Sequence, residues 1–165
     1  MLSEVDIKGL NILDFGCGTG LLTERMSPLA NRIVTLDASK KMIEVLQAKN
    51  LANVFAVSES LTSSLINNNS VFNDKFDVIV ASSVFSFLPG YVPTLKLLKS
   101  LLVSDGLLLH WDWLSPEPGS DFGLSESSVK KSLEEAGFNE ISISSPFSLT
   151  SSKGTMPVIM GVAKK

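Results

Sequence analysis

Short apolar runs alternate with longer amphipathic ones along most of the chain. "LNILDF" at 10–15 reads as a strand, and 32–39, 53–60 and 75–88 repeat the pattern, the last followed by a turn. Residues 20–30 between them predict a helix that frays at Pro28. On a second helix, within 40–50, Met42, Val45, Leu46 and Lys49 recur at helical spacing. A short helix and a loop follow the third strand. Pro89, Gly90 and Pro93 then delay the next helix to 93–103, and a tight Asp-Gly turn enters a fifth strand at 105–113. After a Pro- and Gly-containing loop at 115–123, a helix covers 125–138, with Ser125 as its cap and Gly137 as its stop. Two final strands, 140–147 and 156–164, flank a turn of Ser, Thr and Gly.

Five strand–helix units and a terminal hairpin describe an open, mostly parallel α/β sheet with helices on both faces. Such sheets bind ligands outside the carboxyl ends of their strands, where the strand order reverses. No repeat or linker divides the 165 residues, which suit one domain, 1–165.

The first strand runs into "LDFGCGTG", which holds three glycines in residues 13–20. Glycine admits positive φ and lets a ligand lie on bare backbone, and the following helix start supplies free amides. A tight corner with glycines for packing alone is the bland alternative. Dinucleotide binding needs G-x-G-x-x-G, but Leu21 or Thr23 stands where the third glycine belongs. A short-chain hydride enzyme would also need Tyr and Lys four apart, and the only tyrosine, Tyr91, has Leu95 at that place. No G-x-x-x-x-G-K-[ST] occurs, which excludes a P-loop. Asp37, ending the second strand, can accept both hydroxyls of a ribose, or cap the next helix in competition with Ser39.

Charge narrows the partners. The net charge is −3 and the basic residues are scattered, so neither nucleic acid nor an anionic membrane finds a footprint. No apolar stretch reaches the roughly 20 residues that span a bilayer, and the first ten residues carry Glu4, Asp6 and Lys8, unlike a secretory signal. Cys17 is the single cysteine, so neither an internal disulfide nor a cysteine metal cluster is expected. These features suit a soluble, cytoplasmic chain with no metal.

In order, "LDFGCGTG", "LDASKKM", "AVSES", "FDVIVASSVFSFLP" and "LLVSDGLLLHWDW" resemble the successive motifs of class I S-adenosylmethionine-dependent methyltransferases, most closely the small-molecule, UbiE-like branch. The resemblance runs over roughly residues 9–163. It implies a Rossmann-like seven-stranded sheet of order 3-2-1-4-5-7-6 with the last strand antiparallel, and S-adenosylmethionine as cofactor. Asp14 and the backbone of Gly16, Cys17, Gly18 and Gly20 would then surround the methionine part. Asp37 would hold the ribose beside Ala38, with Met42 on the adenine face. Glu59 stands where the family usually has an aspartate toward the adenine amino group, with Ser60 sharing the task. Ala81 would lie near the methionine amine. The family's frequent histidine pair before "LP" is here Ser86-Phe87, which removes one acid–base group.

His110, the only histidine, reads as packed more readily than catalytic, and Asp112 shares its strand face. Trp111 and Trp113 share the opposite face, as a pocket wall or as core beneath the loop. Methyl transfer needs a base only if the acceptor is protonated, so no catalytic residue is assigned. The acceptor expected is a small, largely apolar molecule between "SVFSFLPGY" and "WDWLSPEPG", with Phe85, Trp111 and Trp113 as its contacts. The resemblance also implies lid helices before the first motif. Nine residues precede "LNILDF", so either the chain is a fragment or a partner chain supplies the lid. A non-catalytic subunit that binds the cofactor or stabilises a partner is the second expectation.

Overall fold

The computed structural model describes residues 5–115, 123–151 and 154–165. Strands β1 (Asn11–Phe15), β2 (Arg32–Leu36), β3 (Val54–Val57), β4 (Phe76–Ser82) and β5 (Leu102–Trp113) run parallel. The hairpin strands are β6 (Asn139–Ser151) and β7 (Gly154–Lys164), and β7 is antiparallel to both β5 and β6. The sheet order is β3-β2-β1-β4-β5-β7-β6, as the resemblance implies. The order reverses between β1 and β4, so their carboxyl ends open a crevice there.

Helices α1 (Leu21–Met26) and α2 (Lys40–Gln47) lie on one face of the sheet. Met26 joins a core with Ile12, Val80, Leu109 and Trp111, while Ile43 and Leu46 of α2 pack with Cys17. The other face carries α3 (Ser63–Asn68), α4 (Val92–Leu101) and α5 (Glu126–Glu135), whose Leu65, Leu98 and Leu133 meet Leu13, Ile79 and Leu108. Because strand side chains alternate, Asp14 and Ser82 share the α1 face, whereas Phe15 and Ala81 point to the α4 face.

Several boundaries differ from the sequence expectation. Helix α1 stops at Met26, two residues before Pro28, which has no N–H to continue the ladder. Helix α2 buries Ile43 and Leu46, leaving Met42 and Val45 outside; the expected stripe is rotated by one position. The Asp-Gly pair does not start β5 but bulges within it. The register with β4 jumps from Phe76↔Leu102 to Val78↔Leu107, and Asp105 takes φ 61°. Ser125 caps α5 as expected, accepting from the Ser128 amide at 3.2 Å. Most of the 115–123 loop lies outside the described residues. No helix among the described residues is long and apolar enough to cross a membrane.

Candidate functional site

The turn after β1 is built by the glycines. Gly16 holds φ 70°, a conformation that costs an L side chain. A Cβ there would also sit 2.3 Å from Val84 Cγ2, so the turn presses its bare backbone against the segment after β4. Gly16 N–H donates to Leu36 O at 2.7 Å, which ties the turn to the end of β2. Immediately beyond, the Asp37 carboxylate accepts from Gly18 N–H at 2.9 Å and from Ser39 N–H at 2.8 Å. The two readings of Asp37, ligand acceptor and local cap, are thus compatible. One carboxylate fixes the glycine turn and the start of α2, with lone pairs left over.

A cavity of about 330 Å³ lies on the α4 side of this turn. Phe15, Leu36, Leu61 and Val84 give it apolar walls; Asp37, Ala38, Glu59 and Ser60 line it along the ends of β2 and β3. Phe87, 73% exposed, stands on its rim. On the α1 side, a groove of about 820 Å³ is lined by Asp14, Cys17, Gly18, Arg25 and Ser82. Gly16 lines both.

Asp14 is buried at the floor of that groove and accepts from the Thr23 hydroxyl at 2.5 Å. Burial pushes its carboxyl up to about 6, helped by the charge of Asp37 and opposed by the Thr23 hydrogen bond. The folded state therefore holds this proton more tightly than the unfolded chain. Asp14 must lower stability as pH rises from about 4 to about 6, on the order of 3 kcal/mol. We expect Asp14→Asn to abolish that trend. Urea denaturation of both proteins should show the variant gaining on the parent by roughly that amount between pH 4 and pH 7; a pH-independent difference would show that Asp14 titrates normally. Burial also pushes the Cys17 thiol up to about 12, so it stays protonated and inert near neutrality.

The other expected site residues lie as follows. Met42 is 42% exposed on α2 and lines neither cavity, because Ile43 and Leu46 take the inward face. Ala81 is fully buried, and its successors Ser82 and Ser83 reach the crevice instead. Gly20 lines neither cavity; at φ 76° it shapes the start of α1 against Leu46. Phe85 is 1% exposed, stacked on Tyr91 and edge-on to His110, so it is core rather than rim. Trp111 is 2% exposed and packs in the α1-side core, while Trp113 is partly open.

His110 and Asp112 do meet, at 3.4 Å, but both are buried. Asp112 Oδ1 also accepts from Ser86 N–H at 3.2 Å and from its hydroxyl at 2.9 Å. In place of the family's histidine pair, the segment after β4 is anchored by a serine to β5. Sequence reading missed Thr23, Arg25, Ser82, Ser83 and Leu149. Only Ser83 carried a local signal in the structure, φ 57° with its N–H on Trp111 O, a strained turn beside the site.

An acid-tied glycine turn at the switch point, flanked by two cavities, defines a Rossmann-like site of the class I methyltransferase kind. Comparison with known proteins agrees. The methyltransferase-domain family matches residues 13–108, more than half of the chain. An uncharacterized methyltransferase of Schizosaccharomyces pombe is 30% identical over 110 residues, 63% of this chain and 39% of that protein. A ubiquinone biosynthesis O-methyltransferase of Pelagibacter ubique is 31% identical over 106 residues, 64% of this chain and 43% of that protein. A solved S-adenosylmethionine-dependent methyltransferase from Mesorhizobium loti superposes with TM-score 0.74 at 14% identity, covering 98% of this chain and 93% of that one, which speaks to the fold. The chain belongs to the class I S-adenosylmethionine-dependent methyltransferase family. It spans less than half the length of the curated relatives it matches.

The residues present fit that cofactor. The Asp37 carboxylate beside the turn keeps lone pairs for hydroxyls, and the adjoining cavity offers the apolar walls of Phe15, Leu36 and Leu61.

Proposed function

We propose that the chain, as one domain, transfers a methyl group from S-adenosylmethionine to a small, largely apolar acceptor. The observation that carries this reading is the hydrogen bond from Gly18 N–H to Asp37, which sets the glycine turn at the junction of two cavities. Asp37 and Ala38 would orient the ribose, Glu59 and Ser60 the adenine edge, and Phe15, Leu36 and Leu61 its faces. In the groove, Asp14 would face the methionine amine and Arg25 its carboxylate, across the backbone of Gly16 to Gly18. A carboxylate kept in a site that penalises its charge suits a cationic ligand.

When bound, the cofactor supplies a methyl already activated on a sulfonium. The chain's own contribution is to hold donor and acceptor in line, which can lower a barrier by about 7–11 kcal/mol. Asp112 is engaged by both His110 and Ser86, so the reading assigns no base.

Isothermal calorimetry tests it. S-adenosylmethionine and its demethylated product should both bind, and NADH should not. Binding of NADH without response to the sulfonium compound would overturn the reading. A screen of acceptors with methyl-labelled cofactor then separates an enzyme from a subunit that only binds it.

A further inference from the structure

We infer that Asp112, partnered by Ser86 and His110, is a positioning residue for the cofactor: it holds one wall of the cavity beside Asp37 without touching what binds there. The inference rests on the methyl-transfer reading above and adds residues that set cofactor affinity from outside the site.

The wall is the segment that follows β4. Ser83, Val84, Phe87 and Leu88 line the cavity from this segment. Val84 also presses on the glycine turn, where a Cβ on Gly16 would stand 2.3 Å from its Cγ2. The same few residues thus shape the cavity and brace the turn. Their own regular structure is one short turn of helix, Phe85–Phe87, so the fixings come from β5. Ser83 N–H donates to Trp111 O at 2.6 Å. Asp112 Oδ1 accepts from Ser86 N–H at 3.2 Å and from the Ser86 hydroxyl at 2.9 Å.

The second carboxylate oxygen reaches the segment by another route. Asp112 Oδ2 lies 3.4 Å from His110 Nδ1, and the His110 ring stands edge-on to Phe85 with centroids 5.2 Å apart. One carboxylate therefore grips the wall twice, directly at Ser86 and through His110 at Phe85. Behind the imidazole is Gly161 of β7, which pairs with His110 in register. A Cβ there would stand 2.3 Å from Nε2 and 2.7 Å from Cδ2, so the ring has no room to retreat.

Burial gives the anchor its force. Asp112 and His110 are each 1% exposed, and a buried acceptor that loses a donor costs more than the bond contributed. The segment keeps one position while the three groups stay paired. None of Ser86, His110, Asp112 and Gly161 lines the cavity beside Asp37 or the groove beside Asp14. A change in cofactor affinity on substituting them reports position, not contact.

Calorimetry with S-adenosylhomocysteine separates positioning from a purely structural role, which would lower stability and leave affinity alone. Ser86→Ala should weaken binding about 3- to 30-fold, the range over which residues that touch no ligand modulate a site. Ser86→Thr, which keeps a hydroxyl, should return affinity to within about twofold of the parent. Asp112→Ala should weaken binding at least as much as Ser86→Ala. The double variant should lose no more than Asp112→Ala, because both substitutions remove one contact. Gly161→Ala should weaken binding from β7 by crowding His110. Amide exchange should quicken over residues 83–88 of Ser86→Ala and stay unchanged in β1. If the parent binds S-adenosylhomocysteine and the Ser86→Ala variant matches it within about twofold, the positioning role is wrong and the methyl-transfer reading survives. Additive losses in the double variant also overturn the shared anchor. Should Asp112→Ala fail to fold, the two Ser86 variants decide alone. A parent that binds neither S-adenosylmethionine nor its product overturns the methyl-transfer reading, and this inference with it.

Discussion

Asp37→Ala should weaken S-adenosylmethionine binding by roughly 10- to 150-fold, the equivalent of about 1.5–3 kcal/mol for hydrogen bonds to a charged group. Two losses combine in that figure. The ribose loses its acceptor, and the glycine turn loses the carboxylate that holds Gly18 N–H at 2.9 Å. Asp37→Asn separates them. Its amide oxygen can still accept from one backbone N–H, so the turn stays partly ordered while the charge is gone. The asparagine variant should therefore bind with an affinity between those of the parent and the alanine variant. Calorimetry at pH 7, with circular dichroism confirming the fold, gives the numbers. An alanine variant that binds like the parent would place the ribose elsewhere.

Gly16→Ala should cost stability and binding together. At φ 70° an alanine carries about 1–2 kcal/mol of backbone strain. Its Cβ would stand 2.3 Å from Val84 Cγ2 and 3.0 Å from Cγ1. Valine is stiff at χ1, so it cannot simply rotate away, and overpacking adds about 1–3 kcal/mol. Urea denaturation should show a loss of about 2–5 kcal/mol in all. Val84 lines the cavity beside Asp37, so displacing it narrows the proposed adenosine space. Gly18→Ala is the matched control. Its φ is 54° and its Cβ would meet nothing within 4 Å, so only the backbone cost remains. Equal losses in the two variants would show that the Val84 contact is slack.

These two positions were legible before any coordinates, and for a physical reason. The period of apolar residues tells strand from helix locally, and three glycines in a turn after a strand state that a backbone must be bare there. An acid at the end of the next strand follows from the same local reading. The ordered motifs then imply the sheet order, which the strand pairing bears out.

Which way a residue faces needed the tertiary structure. Alternation says that Trp111 and Trp113 share a face, but not how deeply each is covered; the sheet buries the first and leaves the second partly open. Phe85 falls within the strand run 75–88 by sequence, but β4 ends at Ser82, and Phe85 packs between Tyr91, just before α4, and His110 of β5. On α2 Ile43 joins Leu46 on the inward face against Cys17, which leaves Met42 and Val45 half-exposed. Ser86 meets Asp112 across 26 positions, and Leu149 reaches the groove only because the terminal hairpin is long. Local pattern carries the elements and the turn, since those are set by neighbours along the chain. Depth of burial and pairing across the sheet are set by neighbours in space, and only the assembled fold decides them.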